Sequence, residues 1–334
     1  MNIIVTGGSG FIGSGLIRFL LSKTNYKILN IDKLTYASNK NNLNCISDNK
    51  NYFFSQTDIS NRKKIRKIFH EFKPNAIFHL AAESHVDRSI EDPSHFMQTN
   101  ITGTFVLLEE AYYYLKKFSI QEKQNFRFQH ISTDEVFGSL RKGEYFTEQS
   151  KYDPSSPYSA SKASSDHLVR AWHKTFDLPI IITNCSNNYG PGQHTEKLIP
   201  LTIVNALHGK KLPIYGNGLQ ERDWLYLDDH IHALFKVLKE GKVGDTYNIG
   251  ANNQLTNIKV VEMICDKLDA KRNPKHLGIN SYKDLITHVD DRPGHDLRYA
   301  IDATKIINEL NWKPKHSFSD GLDATIDWYI KHYL

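Results

Sequence analysis

The sequence predicts an α/β fold with a doubly wound parallel sheet, and two observations support this prediction. Through the first half of the 334-residue chain, short β-rich apolar runs alternate with segments whose apolar residues recur at helical spacing. A glycine-rich turn joins the first of these runs to the first helical segment. Both features are typical of repeated β–α–β units, in which helices cover the two faces of a parallel sheet.

Six strands and four covering helices can be placed from the pattern alone. The strands are predicted over residues 2–6, 27–32, 52–56, 76–81, 127–132 and 180–184. The helices are predicted over residues 11–21, 63–72, 102–117 and 159–176. The basic residues between 62 and 67 recur at helical spacing, so we expect a solvated helix face there rather than a nucleic-acid contact.

The second half of the chain has a looser pattern. Glycine- and proline-punctuated pieces occur at residues 189–192, 215–218 and 291–294, and such loops commonly shape a binding site on a rigid scaffold. We therefore expect residues 1–183 to form a nucleotide-binding domain and residues 184–334 to form mainly a smaller substrate domain. Parts of about residues 224–250 are expected to rejoin the first domain, so that the two are interwoven.

Composition restricts the class of protein. The net charge of +5 is spread thinly, which suits an anionic small molecule and predicts no nucleic-acid partner. The three cysteines have neither the spacing of metal ligands nor that of a disulfide framework, and the histidines follow no ligand pattern. We therefore expect no metal. The sequence shows no leader peptide and no apolar run near the ~18 residues of a membrane span. We expect a cytoplasmic protein without a membrane partner.

The glycine-rich turn at residues 6–13 predicts a dinucleotide site of the Rossmann type. Gly7, Gly10 and Gly13 would permit a tight turn, close approach of a pyrophosphate and close helix packing. Asp32 ends the second strand, where its carboxylate can bind the adenosine ribose, and this favours NAD. Because Lys33 follows Asp32 directly, NADP is not excluded as the cofactor. Asp58 is a candidate for the adenine amino group, although it could equally cap the next helix.

A second group of residues indicates chemistry on a hydroxyl-bearing carbon. Tyr158 and Lys162 lie one helical turn apart, so an ammonium can favour the phenolate of a tyrosine that acts as a base. Thr133, Asp134 and Glu135 follow the fifth strand at the edge where nicotinamide chemistry occurs. Adjacent carboxyl groups compete for ionisation, so one can act as an acid and the other as a base. On spacing alone, either assignment is possible.

Over essentially its whole length, the chain resembles the nucleotide-sugar 4,6-dehydratases of the extended short-chain dehydrogenase/reductase superfamily. Among them, those acting on dTDP-glucose are the nearest match. The resemblance rests on the motifs at residues 7–13, 32–36, 80–87, 132–136, 158–162, 184–190, 196–198 and 291–296.

The resemblance implies a three-stage reaction on dTDP-glucose or UDP-glucose. Tyr158 would take the proton from the C4 hydroxyl while hydride passes to tightly bound NAD, and Thr133 would bind the C4 oxygen. Glu135 would remove the C5 proton and Asp134 would protonate the departing C6 hydroxyl. Return of the hydride to C6 would give a 4-keto-6-deoxyglucose nucleotide for rhamnose or other deoxysugar biosynthesis.

The same resemblance assigns ligand contacts and an assembly. The expected cofactor contacts are Gly7, Gly10, Phe11, Ile12, Gly13, Asp32, Lys33, Thr35, Asp58, Ile59, Leu80, Ala81, Ala82, Thr99, Tyr158, Lys162 and Asn188. The expected substrate contacts are Ser84, Thr133, Asn187, Glu196, Lys197, Leu198, Arg222, Asn257, Arg292 and His295, with the two arginines on the pyrophosphate. A homodimer formed through helices 102–117 and 159–176 is also implied.

Two other functions fit parts of the pattern. A nucleotide-sugar 4-epimerase would share the glycines, Tyr158 and Lys162, but it needs no acid and base at C5 and C6. A non-catalytic nucleotide-binding module would need none of the reactive side chains. The pair Asp134 and Glu135 favours the dehydratase over both alternatives.

Overall fold

A computed structural model describes the chain from Met1 to Leu334, apart from the side chain of Lys40. In chain order its strands are β1 (Asn2–Thr6), β2 (Lys27–Asp32), β3 (Tyr52–Gln56), β4 (Ala76–His79), β5 (Arg127–Thr133), β6 (Ile180–Cys185), β7 (Asn187–Tyr189), β8 (Leu212–Tyr215), β9 (Glu221–Tyr226), β10 (Thr246–Ile249), β11 (Gln254–Thr256) and β12 (Ile286–Val289).

Seven of these strands form one parallel sheet in the order β10–β6–β5–β4–β1–β2–β3. The direction of winding reverses between β1 and β4, which are neighbours in the sheet. Strands β11, β9 and β7 form a second sheet, and β12 pairs with β8. The predicted doubly wound parallel sheet is confirmed.

The α-helices of the described chain are α1 (Phe11–Lys23), α2 (Arg62–Phe72), α3 (Val86–Glu91), α4 (Ser94–Phe96), α5 (Thr104–Leu115), α6 (Ile120–Asn125), α7 (Pro157–Phe176), α8 (Leu198–Leu207), α9 (Leu227–Glu240), α10 (Asn257–Lys271), α11 (Thr304–Leu310) and α12 (Phe318–Tyr333). A π-helical turn over Met97–Gly103 connects α4 to α5. Short 3-10 turns cover Lys40–Ile46, Asp134–Phe137, Pro274–Leu277 and Tyr282–Leu285.

Two boundaries differ from the prediction for identifiable reasons. Strand β4 ends at His79 rather than at residue 81, because the Ala81 amide donates to the Thr6 side-chain hydroxyl instead of to a strand carbonyl. The helix predicted from residue 102 is preceded by the π-helical turn, so the regular part of α5 begins at Thr104. Both departures lie where the chain enters the region at the carboxyl ends of the strands.

Apolar layers cover both faces of the main sheet. Ile4, Ile77 and Phe128 pack with α2, α5 and α7 on one face. Ile3 and Phe78 pack with α1 and α9 on the other. Strands β4 and β6 are buried along their whole length, as expected for strands covered by helices on both sides.

The late part of the chain contributes to two regions. Residues of α9 pack against α1, and β10 pairs with β6 at the edge of the main sheet. Helices α8, α10 and α12 enclose a separate apolar cluster that contains Ile203, Ile264 and Tyr329. The segment over residues 186–197, which joins β6 to α8, lies beside the carboxyl ends of β5 and β6.

The basic segment of α2 is only partly a solvated face. Lys63, Lys64 and Lys67 are exposed, but Arg66 binds the buried carboxylate of Glu110 on α5 through Nε and Nη2, both at 2.9 Å. Arg62 also pairs with Glu110, at 3.4 Å. These charges therefore hold two helices together.

Membrane-spanning helices and metal-binding clusters are both absent from the described residues. None of their helices combines the length and apolar character needed to cross a bilayer. No group of three or more His, Cys, Asp or Glu side chains among them is arranged to hold a metal ion.

Candidate active site

A cavity of about 290 Å³ lies at the carboxyl edge of the main sheet, beside the point where the winding direction reverses. This is where open α/β sheets bind their ligands. Of the predicted residues, the lining includes Gly7, Gly10, Phe11, Ile12, Gly13, Asp32, Lys33, Thr35, Ile59, Leu80, Ala81, Ala82, Ser84, Thr99, Thr133, Asp134, Glu135, Tyr158, Lys162, Asn187, Asn188, Glu196 and Lys197. Asp58, Leu198, Arg222, Asn257, Arg292 and His295 lie outside this lining.

The glycine turn forms one wall of the cavity. Gly7 adopts a φ of +70°, and a Cβ there would lie 2.7 Å from the Ala81 amide nitrogen. A Cβ on Gly13 would lie 2.2 Å from the Gly7 carbonyl oxygen. Helix α1 begins without a side-chain cap, so its first amides can serve an anion. The turn therefore fits a dinucleotide pyrophosphate.

Asp32 is fixed beside this turn. Its Oδ2 accepts from the Ser9 amide at 2.9 Å, and its Oδ1 accepts from the Leu34 amide at 2.8 Å and the Ser38 hydroxyl at 3.0 Å. These bonds hold the carboxylate at the end of β2, where it can still bind ribose hydroxyls because a carboxylate accepts about four hydrogen bonds.

Lys33 is engaged by other residues of the cavity. Its Nζ donates to the Thr99 hydroxyl at 2.8 Å and lies 3.2 Å from Glu83 Oε1. A ribose 2′-phosphate would need the positive charge of Lys33, but Glu83 already balances that charge. This arrangement favours NAD over NADP. Sequence reasoning missed Glu83, since Lys33 and Glu83 are distant in sequence.

Asp58 has a local structural role in this structure. Its Oδ1 accepts from both the amide and the hydroxyl of Ser60, at 2.8 and 2.7 Å. This is the turn-forming arrangement that acidic residues commonly adopt just before a helix. Helix α2 is instead capped by Asn61, whose side chain accepts from the Lys64 amide at 3.1 Å, so the alternative that Asp58 caps this helix is wrong. The adenine contact of Asp58 stays a prediction.

Tyr158 and Lys162 enter the cavity from the first turns of α7. The helix begins with a reciprocal capping box between Ser156 and Ser159. Tyr158 and Lys162 are both buried, and Lys162 Nζ donates to the Ile131 carbonyl at 2.8 Å. Burial and the nearby Glu135 carboxylate raise the pKa of Tyr158, while the Thr133 side chain acts in the opposite direction. A base at this position therefore requires positive charge close to the phenol.

The two carboxyl groups follow β5 in a 3-10 turn. The Thr133 hydroxyl begins this turn by accepting from the Glu135 amide at 3.3 Å. Asp134 is only 1% exposed, and among the described residues its Oδ2 has no hydrogen-bond partner. Burial, then the Glu135 and Asp223 charges, raise the pKa of Asp134 well above its ordinary value. These surroundings favour the protonated form of Asp134.

Glu135 has different surroundings. Burial raises its pKa as well, but the positive charges of Arg292, Arg222 and Lys197 oppose that shift. The two neighbouring carboxyls therefore differ in the charges around them. Asp134 is suited to donate a proton, and Glu135 is suited to accept one.

The two predicted pyrophosphate ligands lie beyond Glu135. Arg222 is 5% exposed and stacks over the Tyr299 ring at 4.1 Å. It donates to the carbonyls of Glu221 and Asp296, both at 2.9 Å, so these bonds orient the guanidinium without neutralising its charge. Arg292 instead pairs with Asp87 Oδ1 at 2.9 Å. An anionic substrate would have to compete with Asp87 for Arg292.

The remaining predicted contacts have varied positions. Asn257 and Leu198 are the first residues of α10 and α8, and His295 Nδ1 lies 2.6 Å from Asp291 Oδ1. Asn188 is held by His230, whose Nδ1 lies 2.7 Å from Asn188 Oδ1. His230 supports a cavity residue from a helix that the sequence gives no reason to associate with it.

A doubly wound sheet with this glycine turn, a buried Tyr158 and Lys162 on α7, and two neighbouring carboxyls after β5 defines an extended short-chain dehydrogenase/reductase. Residues 4–325 match the family model described as GDP-mannose 4,6 dehydratase. The chain belongs to this family of nucleotide-sugar 4,6-dehydratases, and it is an enzyme of the hydro-lyase class.

Individual relatives resemble the chain along nearly its whole length. A dTDP-glucose 4,6-dehydratase of Haemophilus influenzae is 55% identical over 333 residues, covering 99% of this chain and 98% of that protein. The crystal structure of dTDP-glucose 4,6-dehydratase from Bacillus anthracis in complex with NAD is 47% identical, with a TM-score of 0.86 and coverage of 99% and 97%. DesIV, a dTDP-glucose 4,6-dehydratase from Streptomyces venezuelae, was solved with NAD and a dTDP ligand; it is 42% identical, with a TM-score of 0.90 and the same coverage.

The protonation of Asp134 predicts a pH-dependent gain of stability on substitution. Because its folded pKa is raised, the contribution of Asp134 to stability is complete below its unfolded pKa and is lost as pH rises through the folded pKa. Asp134→Asn mimics the protonated group, so above the unfolded pKa it should stabilise the fold by about 1–3 kcal/mol.

Thermal melts between pH 5 and pH 9 measure this effect. The difference between Asp134→Asn and the native protein should grow with pH, whereas Asp177→Asn, at the exposed end of α7, should show no such growth. A constant or shrinking difference for Asp134→Asn would show that this carboxyl is ionised without penalty.

Proposed function

We propose that the protein is an NAD-dependent dTDP-glucose 4,6-dehydratase, which converts its substrate to the 4-keto-6-deoxyglucose nucleotide and water. The observation that carries this proposal is the pair Asp134 and Glu135, two adjacent carboxyls with different electrostatic surroundings in one cavity with Tyr158. The similarity to proteins named dTDP-glucose 4,6-dehydratase supports the choice of nucleotide.

NAD fits the glycine-turn side of the cavity. Gly7 and Gly13 line the cavity, and the close backbone packing at both positions excludes a Cβ. Asp32 and Lys162 would hold the two riboses. The bound cofactor supplies a hydride acceptor for the sugar C4 and a hydride donor for C6. Because the same hydride is returned, the reaction has no net redox change, and the cofactor has to stay bound through the cycle.

Tyr158 removes the proton from the sugar C4 hydroxyl as the substrate is oxidised. Its raised pKa means that the phenolate forms only when positive charge lies beside it. The Lys162 ammonium and a cationic nicotinamide are the groups able to provide that charge. Thr133, which lines the same cavity as Tyr158, is proposed to bind the C4 oxygen.

Elimination follows because the C5 proton is acidic next to the new C4 carbonyl. Glu135 takes this proton, and the C5–H electrons form the C5–C6 double bond as the C6–O bond breaks. Asp134, protonated by its burial, gives its proton to the departing hydroxyl, which leaves as water. When C6 has received hydride, Glu135 returns its proton to C5. The pKa of Asp134 is raised well above its ordinary value, whereas three positive charges oppose the rise at Glu135, and this difference matches the acid and base roles.

The nucleotide diphosphate is proposed to lie between Arg222 and Arg292. A planar guanidinium can bind two phosphate oxygens at once, and Arg222 keeps its charge unneutralised by a carboxylate bond. Ser84, Asn187, Glu196 and Lys197 are proposed to contact the sugar. The product is a precursor suited to rhamnose or other deoxysugar synthesis.

Turnover in heavy water tests the function directly. The purified protein, incubated with dTDP-glucose or UDP-glucose in D₂O, is expected to release a 4-keto-6-deoxy product with deuterium at C5, because Glu135 exchanges its proton with solvent. The value of kcat/KM should be higher for dTDP-glucose. Mass and NMR analysis of the sugar measure both.

A galactose-configured product without deuterium would instead identify a 4-epimerase and contradict the dehydratase. A higher kcat/KM for UDP-glucose would leave the reaction intact but overturn the assignment of the nucleotide.

Glu135→Gln should retain substrate binding but lose most of the elimination. An amide cannot take the C5 proton, so kcat should fall about 10²- to 10⁴-fold, with KM changed little. Steady-state kinetics and a dTDP-glucose titration measure the two effects. Glu144→Gln, an exposed substitution outside the cavity, serves as the control. Unchanged kcat in Glu135→Gln would remove this residue from the proposed role.

We propose that the protein forms a homodimer through α5 and α7. Tyr113 and Phe176 are 47% and 42% exposed, and Tyr112 joins them into one aromatic surface, with its ring 4.9 Å from that of Phe176. Pairing with a second copy would bury this surface in a four-helix arrangement.

Sedimentation should give a dimer for the native protein and a larger monomer fraction for Phe176→Asp. The matched control is Tyr145→Asp, which changes an aromatic residue that is 45% exposed on another surface. A native protein that sediments as a monomer at all concentrations would contradict the proposal.

A further inference from the structure

Asp166 is a buried carboxylate that the steps above do not use. It lies one helical turn after Lys162 on α7 and is fully buried. Its Oδ1 lies 3.0 Å from His130 Nε2, and its Oδ2 accepts from the hydroxyls of Ser132 and Tyr152, both at 2.8 Å. A carboxylate with three such partners is stabilised in its ionised form.

Asp166 connects the end of β5, which carries Asp134 and Glu135, to α7, which carries Tyr158 and Lys162. Ser132 is the residue of β5 that directly precedes Thr133, Asp134 and Glu135. Asp166 itself lies on the helix that presents Tyr158 and Lys162. The bond from Ser132 to Asp166 therefore ties the strand end that carries the acid and base to the helix that carries the oxidation site.

Asp166 lies one helical turn after Lys162 on α7, close enough for its charge to act on the Lys162 ammonium. The Lys162 ammonium is buried, and its Nζ donates to the neutral carbonyl of Ile131. Burial lowers the pKa of Lys162, and Asp166 is the leading group that opposes this shift. Burial alone would raise the pKa of Asp166, but the hydrogen bond from His130, the charge of Lys162 and the bond from Tyr152 bring it below its ordinary value.

The other titratable groups around this pair leave the interaction intact. His130 on β5 and His79 on β4 both have pKa values lowered by burial, to about 4 for His130, so both rings are neutral at neutral pH. Arg170 reaches Asp166 only through Tyr152, since its Nη2 donates to the Tyr152 hydroxyl at 2.8 Å. The Cys185 thiol on β6 also faces Lys162, and burial raises its pKa to about 12.

We propose that Asp166 is a positioning residue for the dehydratase reaction, one that balances the buried Lys162 ammonium and anchors the end of β5 against α7 through Ser132. This inference rests on the proposed function, and it adds to it the group that keeps the oxidation and elimination residues in one arrangement. Without the carboxylate, Lys162 loses its counter-charge and the strand end loses its anchor.

Asp166→Asn tests the electrostatic half in the NAD-loaded protein. The Lys162 titration is followed by NMR of ¹³Cε-lysine-labelled protein, with Lys162→Arg used to identify the signal. Loss of the carboxylate should lower the pKa of Lys162 by about one unit, and the alkaline limb of the kcat/KM profile should move down in pH by the same amount. The NMR readout does not need turnover, so its failure is distinguishable from failure of the proposed function.

Ser132→Ala tests the anchoring half, because it leaves the Asp166 charge in place. We expect kcat to fall about tenfold, with unchanged KM and an unchanged Lys162 titration. The control is Ser164→Ala on α7, whose hydroxyl donates only to the Ala160 carbonyl of its own helix, at 2.8 Å; it should match the native protein in all readouts.

A folded Asp166→Asn protein with an unmoved Lys162 titration would overturn the electrostatic role. Full kcat in Ser132→Ala would overturn the anchoring role, and it does so even if Asp166→Asn fails to fold.

Discussion

The active site depends on burying two neighbouring carboxyl groups under different electrostatic conditions. Asp134 and Glu135 are adjacent in sequence, and both lose hydration at the end of β5. Arg292, Arg222 and Lys197 oppose the resulting rise in the pKa of Glu135. At Asp134 the Glu135 and Asp223 charges add to the rise, and of those three cations Arg222 opposes it. One protein environment can therefore keep an acid and a base side by side at the same pH, which an elimination across two adjacent carbons requires.

The fold creates this difference by bringing together three groups of residues at one edge of the sheet. The glycine turn after β1 packs so closely against neighbouring backbone that a side chain would clash there. Helix α7, which lies between β5 and β6 in the chain, contributes Tyr158 and Lys162. The arginines come from β9 and from the loop after β12, which belong to the later part of the chain. The charges that separate Glu135 from Asp134 are therefore supplied mainly by a different part of the chain from the carboxyls themselves.

Sequence reasoning was most successful where local patterns carry the information. The strands of the doubly wound sheet, the glycine turn and the one-turn spacing of Tyr158 and Lys162 all follow from short-range patterns, whereas the order of the strands came only from the structure. It was weaker for contacts that the tertiary structure creates. The Lys33 bond to Thr99 spans 66 residues, and the His230 bond to Asn188 spans 42. Asp58 shows the limit in the other direction, since an aspartate before a helix can cap that helix, form a turn or bind a ligand. Only the structure shows that Asn61 caps α2 and that Asp58 bonds to Ser60.

The protonation of Asp134 is the most direct test of this account. Infrared difference spectra at neutral pH, each taken between the native protein and a single variant, would detect the carbonyl band of a protonated carboxyl group. The account predicts that Asp134→Asn removes such a band and that Glu135→Gln removes the bands of an ionised carboxylate. A protonated band that disappears in Glu135→Gln and persists in Asp134→Asn would reverse the acid and base assignments and contradict the account.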